Sequence, residues 1–264
     1  MLIAITRDVS PSIEQCELTH LEREPISFEA AQAQHEEYVQ CLAALGCEVR
    51  RLPAEPTMPD AVFVEDTAIV LDEVAVITRP GATSRQPETA SIAMALEPYR
   101  ELRFIEAPAT IDGGDVLRVG KSLFVGMTSR SSAEGIAQLR ELVAPFGYTV
   151  TGVPVTGCLH LKTAVTQIAP DMLLINPAYV DPLVFDMHSI EVDPSEPFGG
   201  NAVLISDTVI YPAAFPRTRR RMEQAGIRVQ TVDASELAKA EGGVTCCSLL
   251  FTVADDNRVS SMRS

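Results

Sequence analysis

The stretch VLRVGKSLFVGMTSRSSAEGIAQLRELVAPFGYTVTGV, residues 116–153, decides the fold. Val116–Val119 and Ser122–Val125 are short apolar runs that pair as strands. Ser131–Ala144 reads as a helix and Tyr148–Val153 as a further strand. This order, strand–strand–helix–strand, recurs on both sides. Upstream lie strands Ala61–Val70 and Val74–Arg79, a helix around Glu88–Ala95 and a strand at Leu102–Glu106. Downstream, Leu161–Ile168 pairs with Met172–Ile175, a weakly helical stretch follows Pro177, and Ser189–Val192 is a strand. Next, Ala202–Ser206 pairs with Val209–Tyr211, Arg217–Gln224 is helical and Arg228–Val232 is a strand.

The chain ends hold the pieces of one more unit. Leu2–Thr6 is a strand without a preceding partner. It leads to a helix, Phe28–Leu45, whose Phe28, Ala31, Tyr38, Leu42 and Leu45 fall near helical spacing. Gly46 stops that helix, and Cys47–Leu52 returns as a strand. Thr245–Val253 is a last strand with no helix after it. Joining the two ends completes a fifth unit, for a period of about fifty residues, the repeat length of propellers and arrays. Closing the ring would also hide sheet edges. An ordinary mixed α/β sheet is the competing architecture. The expectation is one α/β propeller domain over residues 1–264, with an irregular segment at 9–27 placed as a lid or a solvated connection, and a frayed tail at about 259–264.

Composition narrows the function. The 264 residues carry 36 acidic and 21 basic side chains, a formal charge of −15, with 46% hydrophobic residues. Such a chain is globular. Its charge disfavours nucleic acid and anionic membrane as partners, and is compatible with a small cationic substrate. No apolar run reaches the roughly 18–20 residues of a membrane span. Met1–Asp8 is too short and too soon charged for a signal peptide. The six cysteines show no CxxC pair, which points to a reducing, cytoplasmic compartment.

Four polar clusters sit at strand ends. In Pro59–Thr67, the carboxylates Asp60, Glu65 and Asp66 crowd an apolar run; they need partners or a cationic ligand, and strand alternation would turn Glu65 and Asp66 to opposite faces. In Thr110–Leu117, Gly113-Gly114 between Asp112 and Asp115 allows a tight turn and a close backbone approach. In Gly157–Thr163, His160 is a core residue or an acid–base group. In Glu241–Leu249, Cys246 and Cys247 are neighbours on the last strand, so one should face a site and the other the packing. A thiol nucleophile needs a base; His160 could serve, with Asp112 orienting the imidazole. Metal and nucleotide motifs are missing: His35-Glu36-Glu37-Tyr38-Val39 is not HExxH, and there is no P-loop.

Six strings in order, PDAVFVEDTAIV, ITRPGATSR, IDGGDVL, FVGMTSR, LHLKT and GGVTCCSL, resemble the dimethylarginine dimethylaminohydrolase family of the guanidino-group-modifying, or pentein, superfamily. The resemblance runs from about Phe28 to about Leu250. It implies a five-bladed α/β propeller that hydrolyses asymmetric dimethylarginine or monomethylarginine to citrulline, with no metal or other cofactor. It matches Cys246 to the nucleophile, His160 to the general acid/base and Asp112 to its acidic partner. It also matches Asp60, Glu65 and Asp66 to acids that contact substrate, Arg85 and Arg130 to the amino-acid carboxylate, and Leu18 and Ala240 to backbone contacts. The chemistry suits such a substrate. Carboxylates fork onto a planar guanidinium, and arginines bind a carboxylate bidentately. Arginine deiminase, an amidinotransferase and a non-catalytic pentein that binds a macromolecule are the rival readings. A homodimer stays open.

Overall fold

The structure, a computed structural model, describes residues 1–254. It contains five three-stranded sheets. The first joins the chain ends: Leu249–Thr252 runs antiparallel to Leu2–Arg7, which runs parallel to Glu48–Leu52. The second holds Ala68–Val70, Val74–Ile77 and Glu101–Phe104, and the third Val116–Val119, Ser122–Met127 and Thr149–Pro154. The fourth holds Val165–Ala169, Met172–Ile175 and His188–Glu191, and the fifth Val203–Ile205, Thr208–Pro212 and Arg228–Val232. Each sheet pairs its middle strand antiparallel to the inner one and parallel to the outer one. A parallel neighbour requires a crossover. Helices Phe28–Ala44, Thr89–Leu96, Ala133–Val143 and Pro216–Gln224 supply it in four units.

An axial cavity shows how the sheets are arranged. It is lined by Ile69, Val116, Thr166, Val203 and Leu249, one residue from each inner strand. The sheets therefore stand around a common axis as five blades. Middle strands such as Val74–Ile77 and Thr208–Pro212 are buried along their whole length, which is why they read as unbroken apolar runs. Outer strands such as Glu101–Phe104 are half exposed and carry charge. Local signals agree with this architecture. The Ser27 and Ser132 hydroxyls cap their helices by accepting from Ala30 N and Gly135 N, each worth about 1 kcal/mol. Gly46 takes the left-handed φ of +93° that ends the first helix.

Three sequence expectations change at one kind of place. Ala61–Val70 is strand only from Ala68, because Val64–Thr67 is a 3-10 turn. Leu161–Ile168 opens with a helical turn, Leu161–Ala164. Thr245–Val253 opens with a 3-10 turn at Thr245–Cys247. Together with Gly113–Asp115, four of the five inner strands are entered through a helical turn at the same end of the ring. Each turn packs against another rather than against a sheet partner; a Cβ on Gly113 would lie 1.9 Å from the Glu65 carbonyl oxygen. A short apolar run buried on every side carries no periodicity with which to tell strand from turn. In the fourth unit, only a 3-10 turn, Pro182–Val184, stands where a weak helix was expected after Pro177. The tail expected to fray lies outside the described residues.

Candidate active site

The four turns bring their polar residues to the end of the ring axis. A pocket there is lined by Asp60, Phe63, Asp66, Arg85, Arg130, Leu159, His160, Ala240, Gly242 and Cys246, and covered by Glu17 and Glu241. Seven of the ten residues singled out from the sequence are therefore brought together. Asp112 lies directly behind His160, fully buried, with its Oδ2 3.0 Å from His160 Nε2. Its other oxygen accepts from Gly81 N at 2.8 Å, which fixes the carboxylate plane. Glu65 is placed differently. It lines the axial cavity, where Lys162 Nζ donates to its Oε1 and Thr245 Oγ1 donates to its Oε2 at 2.7 Å. Neighbours in sequence thus face two sides of a thin wall: Glu65 and Thr245 the axial cavity, Asp66 and Cys246 the pocket. Leu18 is half-buried on the covering segment, packed against the core beside the pocket.

The two cysteines divide as their adjacency suggested, although on a 3-10 turn rather than a strand. Cys246 lines the pocket; Cys247 is buried in the core and donates to the Gly243 carbonyl. Gly243 N donates to Cys246 Sγ at 3.3 Å. Burial pushes the Cys246 thiol up to about 12, with the nearby Glu65 and Asp66 charges adding to it. The His160 pKa is raised too, but there the effect is to hold the charged form. Burial alone would lower its pKa, but Asp66, at 3.8 Å from Nδ1, and the Asp112 hydrogen bond raise it to about 9. At neutral pH the protein thus holds a neutral thiol and an imidazolium. Burial opposes ionisation of Asp66, and the His160 and Arg85 charges outweigh it, so that carboxyl is held low.

The two arginines differ. All three Arg85 nitrogens are committed: Nη1 to Asp66 at 2.5 Å, Nε and Nη2 to Glu88, and Nη2 also to the carbonyls of Asp60 and Phe63. Arg130 Nη2 donates to Thr19 Oγ1 at 2.9 Å on the cover, and its Nη1 stands 3.9 Å from Asp112. Both line the pocket, but Arg85 is spent on bracing the acids in this state, while Arg130 reaches the cover. Asp66, Asp112 and His160 also lie close enough for a donor atom of each to fall within 4.8 Å of the others, but hydrogen bonds or ion pairs within the protein already engage all three.

The cover is the part that sequence reasoning left least defined. Asp60 accepts from Glu17 N at 3.1 Å. The Glu241 carboxylate accepts three consecutive backbone N–H groups, those of Thr19, His20 and Leu21. Glu241 holds a left-handed φ of +57° to do so. Under this cover the pocket measures only 20 Å³, room for about one water. Glu17, Glu88, Lys162, Thr245 and Glu241 were not singled out. The only signal for Glu241 was its place before Gly242-Gly243.

Known proteins share this architecture. A family model described as arginine deiminase matches residues 54–197. The chain is 35% identical over 227 residues to the N(G),N(G)-dimethylarginine dimethylaminohydrolase of Pseudomonas aeruginosa, covering 85% of this chain and 89% of that protein. It is 37% identical over 250 residues to the protein of the same name from Streptomyces coelicolor, covering 93% and 95%. A solved P. aeruginosa structure, a cysteine-to-serine variant complexed with citrulline, superposes with a TM-score of 0.88 at 32% identity, covering 94% of this chain and 98% of that one. The N-terminal domain of the arginine dihydrolase ArgZ shares the fold, with a TM-score of 0.82 at 20% identity. Among the described residues no helix is long and apolar enough to cross a membrane. The ring of five blades, the ordered motifs and these relatives agree: the chain belongs to the dimethylarginine dimethylaminohydrolase family, on the pentein fold.

Proposed function

We propose that this protein hydrolyses Nω-methylated arginine to citrulline and dimethylamine or methylamine, through a covalent intermediate on Cys246. The observation that carries the reading is one pocket bordered by the Cys246 thiol, a His160 imidazole bonded to Asp112, and the acids Asp60 and Asp66. The relatives' name and the citrulline bound to one of them support the substrate class.

The free protein keeps its thiol protonated, so it needs a reason to become nucleophilic. A guanidinium placed beside Asp60 and Asp66 in the pocket supplies it. Its positive charge stabilises a neighbouring thiolate against burial and offsets the carboxylate charges that add to it, and the proton leaves to solvent. The thiolate adds to the guanidinium carbon, forming the C–S bond. His160, already an imidazolium, gives its proton to the methylated nitrogen as the C–N bond breaks, and the amine departs. The product of that half-reaction is a thiouronium on Cys246. Neutral His160 then takes a proton from water as the oxygen adds to the same carbon, and C–S cleavage returns the thiolate and, as the remaining hydroxyl proton passes to solvent, citrulline. Asp112 accepts from Nε2, which fixes the ring's orientation throughout and its tautomer when the ring is neutral. Arg130 is placed to receive the substrate carboxylate once the cover lifts.

The test is citrulline formation from asymmetric dimethylarginine, monomethylarginine, plain arginine, and arginine plus glycine. Turnover of the methylated substrates ahead of the others is expected. Preference for plain arginine would make the chain a deiminase, guanidinoacetate from the last mixture an amidinotransferase, and no product in any arm would sink the reading.

A further inference from the structure

Asp115 is a buried acid with no part in the proposed reaction, and it lies next to the site. It is fully buried, and among the described residues it forms no ion pair with a lysine or arginine. Its carboxylate is nevertheless fully used. Oδ1 accepts from Leu161 N, the residue after His160, at 3.0 Å. Oδ2 accepts from Thr128 Oγ1 and from Ser131 Oγ, each at 2.6 Å. Those two hydroxyls bracket Arg130 and pass the connection on: Thr128 Oγ1 accepts from Arg130 N at 3.1 Å, and Ser131 Oγ from Asp112 N at 3.2 Å. One carboxylate is thereby joined to the His160 segment directly, to Asp112 through one hydroxyl and to Arg130 through another. The room for it is built in. A Cβ on Gly126 would lie 2.6 Å from Asp115 Oδ1, so only glycine there leaves the carboxylate its place.

We propose that Asp115 is a positioning residue for the hydrolysis: it touches no substrate, and it sets the mutual placement of His160, Asp112 and Arg130. The inference rests on the reading that Cys246 and His160 carry the reaction. Electrostatics point the same way. Burial raises the Asp115 carboxyl to about 6, so at neutral pH it is largely ionised and adds a third negative charge around the His160 ring. The ring faces Asp66 on one turn and Asp112 and Asp115 on another. Arg85 sits behind Asp66, Arg130 lies beside Asp112, and Cys246 lines the same pocket. Cys158, whose neutral thiol is pushed up by burial and by Asp115, is the remaining titratable neighbour.

The test is Asp115→Asn, which keeps the shape and removes the charge. Two readouts are taken on the full chain: the titration of the His160 ring by NMR, and kcat and KM for dimethylarginine. The proposal expects the His160 pKa to fall by about one unit. It also expects kcat to drop about 10- to 100-fold with the thermal unfolding curve still cooperative. A folded variant with an unmoved His160 titration and an unchanged kcat overturns it. Should Asp115→Asn fail to fold, Thr128→Val with Ser131→Ala cuts the two hydroxyl links and leaves the acid. The expected result is then a rise in KM with a smaller fall in kcat; unchanged values of both overturn the proposal. A wild-type protein that makes no citrulline defeats the proposed function instead, and the His160 titration still decides whether Asp115 governs the ring.

Discussion

The floor and the cover of the pocket are held by opposite means. The floor, comprising Asp66, Arg85, Asp112, Asp115 and His160, is almost wholly buried, and its members bond one another across three turns. In the cover, Glu17, Thr19, His20 and Leu21 are exposed, and their backbone N–H groups are held by two carboxylates, Asp60 beneath them and Glu241. Bonds of the first kind are costly to break, because any partner left behind is a buried charge. Bonds of the second kind exchange readily with water, so such segments open at little cost. The contrast explains how a pocket with room for about one water can serve a substrate the size of arginine. The floor is ordered by its own bonds before anything binds, and we propose that the cover is the part that moves.

The sharpest way to break the floor is at the thiol. Cys246→Ser should lower citrulline formation by about 10⁴-fold or more with the unfolding curve little changed. Cys247→Ser should leave turnover within a few-fold, since that side chain sits in the core. An essential Cys247 would invert the assignment. Asp112→Asn comes next. It removes the acceptor that sets the His160 tautomer, and kcat should fall on the order of 10³-fold in a steady-state assay.

The two arginines test whether floor and cover are distinct. Arg85→Ala strands the buried Asp66 and Glu88 carboxylates, so chemical denaturation should report a loss of about 3–5 kcal/mol. Arg130→Ala should instead raise KM about tenfold or more and leave the denaturation midpoint near that of the wild type. Equal effects of the two on stability would erase the distinction. The smallest effect belongs to the cover's latch. Glu241→Gln should speed hydrogen exchange at Thr19, His20 and Leu21 and change kcat/KM by only a few-fold.

Acidity provides a further check on the floor. The reactive pair is a thiolate with an imidazolium, while the resting pair holds a proton on each, with pKa values of about 12 for Cys246 and about 9 for His160. Reaching the reactive pair requires loss of one proton, so kcat/KM should rise with pH through neutrality and level off near pH 9. Stability runs the other way. The folded state raises the His160 pKa above its unfolded value of about 6.5, so that contribution is complete below about pH 6.5 and fades as pH climbs through 9.

The same contrast explains what could be read from residues alone. The five blades were legible because their middle strands, buried on both faces, leave apolar runs at a steady period. The site strings were legible too, because Asp112, His160 and Cys246 each stand beside a turn at the mouth of an inner strand. Three of the four turns, Val64–Thr67, Leu161–Ala164 and Thr245–Cys247, read as strand, since segments of three or four residues inside longer buried runs show neither period; Gly113–Asp115 reads as a turn because of its two glycines. The floor's bracing by Glu88 and Lys162 was hidden, because each resembled an ordinary surface charge until its partner came close. The latch was out of reach altogether. Glu241 meets Thr19 across 222 positions of chain, and nothing local in either segment announces the meeting.

One measurement bears most directly on the central claim. The protein is mixed with asymmetric dimethylarginine, quenched in acid within a turnover, digested, and the peptide containing Cys246 and Cys247 is fragmented in a mass spectrometer. The account predicts a thiouronium adduct on Cys246 that disappears as citrulline accumulates. Citrulline forming with no adduct on either thiol, or an adduct on Cys247, would contradict it.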